Sequence, residues 1–305
     1  VHSIALPHDW LSWQLQGGKD FSKLFTDRSD ASGTGYFDPK SSTYRKDILA
    51  KALLSDRDIY LPTIVAPSTF GGTTSTGIPI AAGAGDNAAA ALGVQAEPGD
   101  VVISLGTSGT AFAVSTTSTH DSRGAVAGFA DASGRFLPLV CTLNAARIFD
   151  AATTILGKTH DEVGTLALSS VPGAHGLTLL PYFEGERTPN RPTATGVFSG
   201  MNIANSNPAD IARAMIEGML SGLADAVAAL EDLGVDIKRV LIIGGAAKNS
   251  AVGEIASALF GRPVLIPPAG EYVAEQKRCT PQPKYPAAAP VGSPPTGVFT
   301  YAEVL

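Results

Sequence analysis

Three glycine-rich segments stand where the sequence leaves an apolar run. They are Gly83-Ala84-Gly85 after Ile78–Ala82, Gly106-Thr107-Ser108-Gly109-Thr110 after Val101–Leu105, and Gly244-Gly245-Ala246-Ala247 after Val240–Ile243. Glycine tolerates positive φ and close approach, so such loops can aim several backbone N–H groups at one anion, and phosphate is the obvious guest. Each loop alone also reads as a hairpin turn or a tight strand-to-helix junction. The first loop leads into Asp86-Asn87 and an alanine-rich segment that closes at Gly93. Two roles are open to Asp86 from its position. It could cap a helix by accepting from the N–H of Ala88 or Ala89, or it could act as a general base, taking the proton of a substrate hydroxyl as that oxygen attacks phosphorus.

The elements that must hold these residues are α/β in character. Ile78–Gly93 reads as strand, glycine loop and helix; Val101–Leu105 and Ala111–Ser115 read as a hairpin around Gly106–Thr110. Pro208–Leu233 carries the clearest helical period, with Ile211, Met215, Met219, Leu223, Val227 and Leu230 on one stripe, Asn207 or Ser206 as cap and Gly234 as stop. Gly218 and Gly222, one turn apart, are expected to admit another backbone. Val240–Ile243, Ser250–Phe260 and Val264–Pro267 complete a strand, loop, helix, strand unit. Near the start, Asp9 is the expected cap of a short helix anchored by Trp10 and Trp13. After Ala274 six prolines remove any helical period, which predicts extended or disordered chain.

Composition narrows the function classes. With 305 residues, 44% hydrophobic and only 16% charged, the chain can bury a core and can hold one or two domains. Net charge is −6 and no Lys/Arg cluster occurs, which argues against nucleic-acid and acidic-membrane partners. No apolar run reaches the ~18 residues of a membrane span, and the N-terminus lacks a signal-peptide pattern, so a soluble cytoplasmic protein is expected. Cys141 and Cys279 fit no disulfide or zinc spacing, and His2, His8, His120, His160 and His175 are scattered along the sequence, so no metal-ligating side chain is assigned.

Five ordered blocks carry a resemblance. GDNAAAALG at 85–93, ISLGTSGT at 103–110, PYFEGERTPNRP at 181–192, GVFSGMNIANSNPADIARAMIEG at 196–218 and LIIGGAAKNS at 241–250 resemble the motifs of the FGGY carbohydrate kinases. Within that family, the segments at 6–17, 27–39 and 129–151 most resemble the xylulokinase branch. The resemblance implies an actin/hexokinase-like (ribonuclease H-like) α/β ATPase fold with ATP and Mg²⁺ as cofactors. It implies residues 1–98 as the trailing part of a sugar-binding domain that includes the catalytic-Asp loop, residues 99–274 as the ATP-binding domain, and 275–305 as a Pro-rich tail. It also implies roles residue by residue. Asp86 matches the base, with Asp86 and Asn87 at the sugar; Gly106, Thr107, Ser108 and Gly109 match the loop on the terminal phosphates; Gly244, Gly245 and Asn249 match the adenosine side.

The implied reaction is phosphorylation of D-xylulose at its 5-hydroxyl by ATP. Other acceptors of the family (ribulose, gluconate or glycerol) and a non-catalytic nucleotide-binding fragment are the alternatives, and an actin-like or chaperone ATPase fits the blocks poorly. The expected partners are a small sugar and ATP, and a homodimer is compatible. Glu184, Glu186 and Arg187 read best as a structural ion pair or loop clamp. The resemblance reaches only the later part of such kinases, whose leading DxGT-type phosphate loop has no counterpart here, so very weak or absent turnover is expected of this chain alone.

Overall fold

Residues 2–268, Gly270 and Tyr272 are described in a computed structural model of the chain, so the Pro-rich segment 275–305 and Cys279 lie outside the described residues. The elements, in chain order, are helix α1 (Pro7–Leu15), strand β1 (Phe25–Asp27), α2 (Arg28–Ser32), β2 (Phe37–Asp38), β3 (Thr43–Tyr44), α3 (Lys46–Leu53), β4 (Thr63–Val65), β5 (Phe70–Thr73), β6 (Pro79–Ala81) and α4 (Asp86–Gly93). They continue with β7 (Asp100–Leu105), β8 (Gly109–Ala113), β9 (Ala127–Ala130), β10 (Phe136–Thr142), α5 (Ala146–Leu156), α6 (His160–Ser169), β11 (Thr178–Leu180) and β12 (Val197–Ser199). The last are α7 (Pro208–Asp232), β13 (Arg239–Ile243), α8 (Ser250–Phe260) and β14 (Val264–Leu265).

Continuous apolar runs make strands that can be buried on both faces, and here they form a six-stranded sheet in the order β14-β13-β7-β8-β10-β9. β14, β13 and β7 run parallel, while β7, β8, β10 and β9 are antiparallel neighbours. This is the mixed sheet of the actin/hexokinase-like class. Alternate residues supply two cores. Val101, Ile103, Leu105, Val240 and Ile242 face the helices α5 to α8, while Val102, Phe112, Leu139, Leu241 and Ile243 face the other side. On that second side Ala88, Ala90, Ala91 and Val94 pack against the sheet, so α4, although it follows the N-terminal segment, is seated on the later sheet.

The hairpin expected around Gly106–Thr110 forms, with Leu105 opposite Gly109. The long helix forms too: Asn207 accepts from the N–H of Asp210, and the stripe from Met215 to Leu230 is buried. Three expectations need correction. Asp9 is not the cap of α1 but lies inside its first turn, where its Oδ2 accepts from Leu6 N at 2.9 Å. The helix starts earlier because Pro7 has the φ that the first helical position requires. Only Trp13 anchors this helix, stacked on Phe21 with ring centroids 5.1 Å apart, while Trp10 is 55% exposed. Of the two helix glycines only Gly218 admits a backbone: a Cβ there would lie 2.6 Å from the Leu179 carbonyl oxygen, whereas one at Gly222 would meet nothing within 4 Å.

The two glycines of α7 therefore respond oppositely to alanine. Gly218→Ala should destabilise by about 1–3 kcal/mol through overpacking against β11, and Gly222→Ala should stabilise by about 0.5–1 kcal/mol through helix propensity. Urea unfolding of the two variants beside the parent chain checks both signs.

Candidate active site

Parallel pairing of β13 with β7 sets Ile243 beside Ser104, so both strands end on the same edge of the sheet. The two glycine loops leave from that edge, a position where open α/β sheets form ligand crevices. Their closeness depends on missing side chains. Gly244 has φ +102°, and a Cβ on it would lie 2.5 Å from the carbonyl oxygen of Leu105; a Cβ on Gly109 would lie 2.7 Å from Thr142 Oγ1. Between these fixed points Thr107 and Ser108 are exposed, and the Gly106 carbonyl accepts from Ala146 N, the first residue of α5, at 3.0 Å. The predicted phosphate loop is thus braced at both ends and open at its tip.

Asp86 does not cap α4. Gly85 occupies the capping position and its carbonyl accepts from Ala89 N at 2.8 Å, while Asp86 is the first helical residue. Its Oδ1 accepts from Asn87 N at 2.7 Å and Asn87 Nδ2 at 3.0 Å, and its side chain is exposed. Asn87 in turn accepts from Thr110 Oγ1 at 3.3 Å. That bond joins the carboxylate's neighbour to the strand leaving the 106–109 loop.

Strand period puts Cys141, which pairs with Thr110, on this same face. Burial pushes its thiol pKa up; Arg187 draws it down and Asp86 pushes it further up, so both charges act at this sulfur. Sequence reading gave Cys141 no place near the site. The signal lay in its position two residues past buried Leu139 on a strand.

Glu186 is a loop clamp. Its buried carboxylate accepts from Leu143 N and Arg187 N, both at 2.7 Å, and from Asn144 Nδ2 at 3.0 Å. It thereby ties the 181–192 loop to the turn between β10 and α5. Glu184 pairs at the surface with Arg147, and Arg187 is exposed.

Asn249 sits in the wall of the site rather than at its open edge. It is 8% exposed, its Oδ1 accepts from Ala251 N at 3.0 Å to cap α8, and its Nδ2 donates to His160 O at 2.9 Å. The segment Gly245–Asn249 separates two hollows. One, of about 360 Å³, lies against Ala146, Phe149, Asp150 and His160; the other, of about 750 Å³, lies against Ile266, Pro267 and Tyr272. The smaller hollow adjoins the start of α5, which is bonded to the 106–109 loop. An apolar ring surface at Phe149 with polar groups around it suits a purine and its ribose.

On the other side of the Gly83–Gly85 loop the fold gathers His8 and Asp9 with Asp27 and Asp30, two pairs too far from each other in sequence to show a ligand spacing. His8 Nε2 lies 2.8 Å from Asp9 Oδ1, 3.3 Å from Asp30 Oδ2 and 3.9 Å from Asp27 Oδ2. Hydrogen bonding to Asp9 raises the His8 pKa against the opposing effect of burial. Burial, and then the charge of Asp27, pushes Asp30 up to about 7.

The N-terminal domain model of the FGGY family of carbohydrate kinases matches residues 1–93, and the C-terminal domain model of the same family matches residues 101–274. The chain belongs to the FGGY family of carbohydrate kinases. It is 40% identical over 283 residues to a xylulose kinase from Streptomyces coelicolor and 39% identical over 283 residues to one from Streptomyces rubiginosus, covering 90% of this chain and 56% of each relative. The crystal structure of xylulose kinase from Bifidobacterium adolescentis matches with a TM-score of 0.83 at 45% identity, over 90% of this chain and 60% of that one. The chain therefore spans little more than half the length of the relatives it matches. Among the described residues no helix is long and apolar enough to cross a membrane.

Glu186→Ala would leave two backbone N–H groups and one amide without their buried acceptor. A loss of about 2–4 kcal/mol is expected, since each unmet buried donor costs about 1–3 kcal/mol and relaxation recovers part. Denaturant unfolding measures it. Glu184→Ala, which removes an exposed pair, should cost under about 1 kcal/mol in the same experiment.

Proposed function

We propose that this chain carries the nucleotide-holding part and the catalytic carboxylate of a kinase that phosphorylates a sugar hydroxyl, with D-xylulose as acceptor. The observation that carries the reading is the exposed Asp86 carboxylate, joined through Asn87 to Thr110 at the foot of the 106–109 loop. Support for the acceptor comes from the two relatives near 40% identity, both named xylulose kinase. In domain terms, residues 1–98 serve the sugar side and 99–274 the ATP side.

ATP lies with its adenosine in the hollow by Phe149 and Gly245 and its phosphates along Gly244–Gly245 and Gly106–Gly109. The backbone N–H groups and the hydroxyls of Thr107 and Ser108 meet the phosphate oxygens. Asn249 keeps α6 and α8 together beneath the base, and Glu186 fixes the turn that starts α5. Asp86 accepts the proton of the 5-hydroxyl while that oxygen bonds to the γ-phosphorus. The bond from the γ-phosphorus to its bridging oxygen breaks, ADP departs, and the proton later passes from Asp86 to water. The hydroxyls of Thr107 and Ser108 are oxygen donors that would hold Mg²⁺ brought with ATP, and the ion would neutralise charge on the phosphoryl group. Arg187, exposed on the same side, adds positive charge where the phosphoryl moves. In such a reaction the protein's main tasks are positioning and charge stabilisation, which the braced loops perform.

The test places a DxGT-type segment of the family ahead of Val1 and couples ADP release to a spectrophotometric readout. Asp86→Asn should lower kcat by about 10²–10⁴-fold while calorimetry finds ATP affinity little changed. An unchanged kcat would reject Asp86 as the base. A preference for ribulose, gluconate or glycerol in the same assay would reject the acceptor and keep the mechanism. The 305-residue chain by itself should bind ATP yet turn over well below ~1 s⁻¹.

A further inference from the structure

The cluster around His8 is built from three elements that otherwise have little reason to concentrate charge. His8 and Asp9 come from α1, Asp27 ends β1, and Asp30 lies in α2. Asp9 is 1% exposed and Asp27 4% exposed. One oxygen of each is used locally: Asp9 Oδ2 takes the Leu6 N–H, while Asp27 Oδ1 takes those of Ser29 at 2.7 Å and Asp30 at 3.1 Å, together with the Ser29 hydroxyl. The other oxygen of Asp9, Oδ1, lies 2.8 Å from His8 Nε2, whereas Asp27 Oδ2 is buried, accepts no hydrogen bond and stands 3.9 Å from the same nitrogen. A buried carboxylate oxygen with no donor is costly, and three carboxylates gathered around one imidazole add mutual repulsion. The ligand atoms of His8, Asp27 and Asp30 all lie within 4.8 Å of one another.

We propose that His8, Asp27 and Asp30, with Asp9 at the rim, bind one divalent transition-metal cation of the Zn²⁺ or Mn²⁺ kind. The mixture of one imidazole with carboxylates favours such ions over Mg²⁺ or Ca²⁺, which prefer oxygen alone. A dication here satisfies Asp27 Oδ2 and offsets three neighbouring negative charges that a single imidazole cannot balance. The secondary contacts suit a ligand shell, because Ser29 and the backbone already hold Asp27 in one orientation. The ion also has a structural task. A Cβ on Gly83 would lie 3.6 Å from Asp27 Oδ2 and one on Gly85 3.2 Å from Asp30 Oδ1, while Gly85 N donates to Ser29 Oγ at 2.9 Å. The loop leading to Asp86 thus runs across the mouth of the cluster, and a bound ion would pin α1, β1, α2 and that loop to one another. This site is separate from any ion that arrives with ATP.

The test uses the chain stripped with a chelator, without nucleotide, titrated with ZnCl₂ or MnCl₂ alone by calorimetry and thermal melting. One saturable site is expected, with Tm rising as metal is added. His8→Gln and Asp30→Asn should each weaken binding at least about tenfold and abolish the Tm rise. Asp30→Asn relieves like-charge repulsion and so should fold. His160→Gln, which breaks the exposed pair with Asp150, should leave both readouts unchanged. Absence of saturable binding in the parent chain, or binding that survives in both His8→Gln and Asp30→Asn, overturns the proposal, as does loss of the site only in His160→Gln. None of these readouts depends on kinase activity.

Discussion

The backbone crossing of Gly244 over Leu105 is the constraint on which the arrangement of the loop-bearing edge depends. β7 and β13 can bring their loops together only if the first residue after β13 turns back with positive φ and carries no side chain, because its Cβ would stand 2.5 Å from the Leu105 oxygen. From that contact follow the shared edge, the bracing of Gly106 by the start of α5, and the wall that Asn249 makes between α6 and α8. A one-residue slip of either strand would exchange its two apolar faces. The two cores on the sheet therefore hold the loops in register as firmly as the loops hold each other.

Much of this frame was legible because it rests on period and punctuation. The helical stripe from Met215 to Leu230, the hairpin at Gly106–Thr110 and the strand, loop, helix unit after Val240 are all local patterns, and local patterns survive folding when they agree with the core. Misreadings came where two local signals competed. At Asp9 a good capping residue lost to Pro7, whose fixed φ started the helix first. At Gly222 the small residue faces open space, and only its neighbour Gly218 meets a backbone, a distinction that helical spacing cannot make.

What could not be read was proximity between residues distant in sequence. Cys141 feels the charges of Asp86 and Arg187 because β10 pairs with β8, and the His8 cluster exists because α1 and α2 both pack on β1. Glu186 stood in the sequence as a clamp with no known object; the fold supplies the object, two backbone N–H groups and the amide of Asn144.

The bond between Thr110 and Asn87 carries a mechanical consequence. With three residues of α4 locked to the underside of the sheet and this bond at its tip, the carboxylate at the head of α4 belongs to the same rigid body as the glycine loops. Any strain from the chain before the helix is taken up in the Gly83–Gly85 stretch, and the distance from Asp86 to those loops stays fixed. On the proposed function, the base and the phosphate-holding loops would travel together, and timing would lie with delivery of the acceptor.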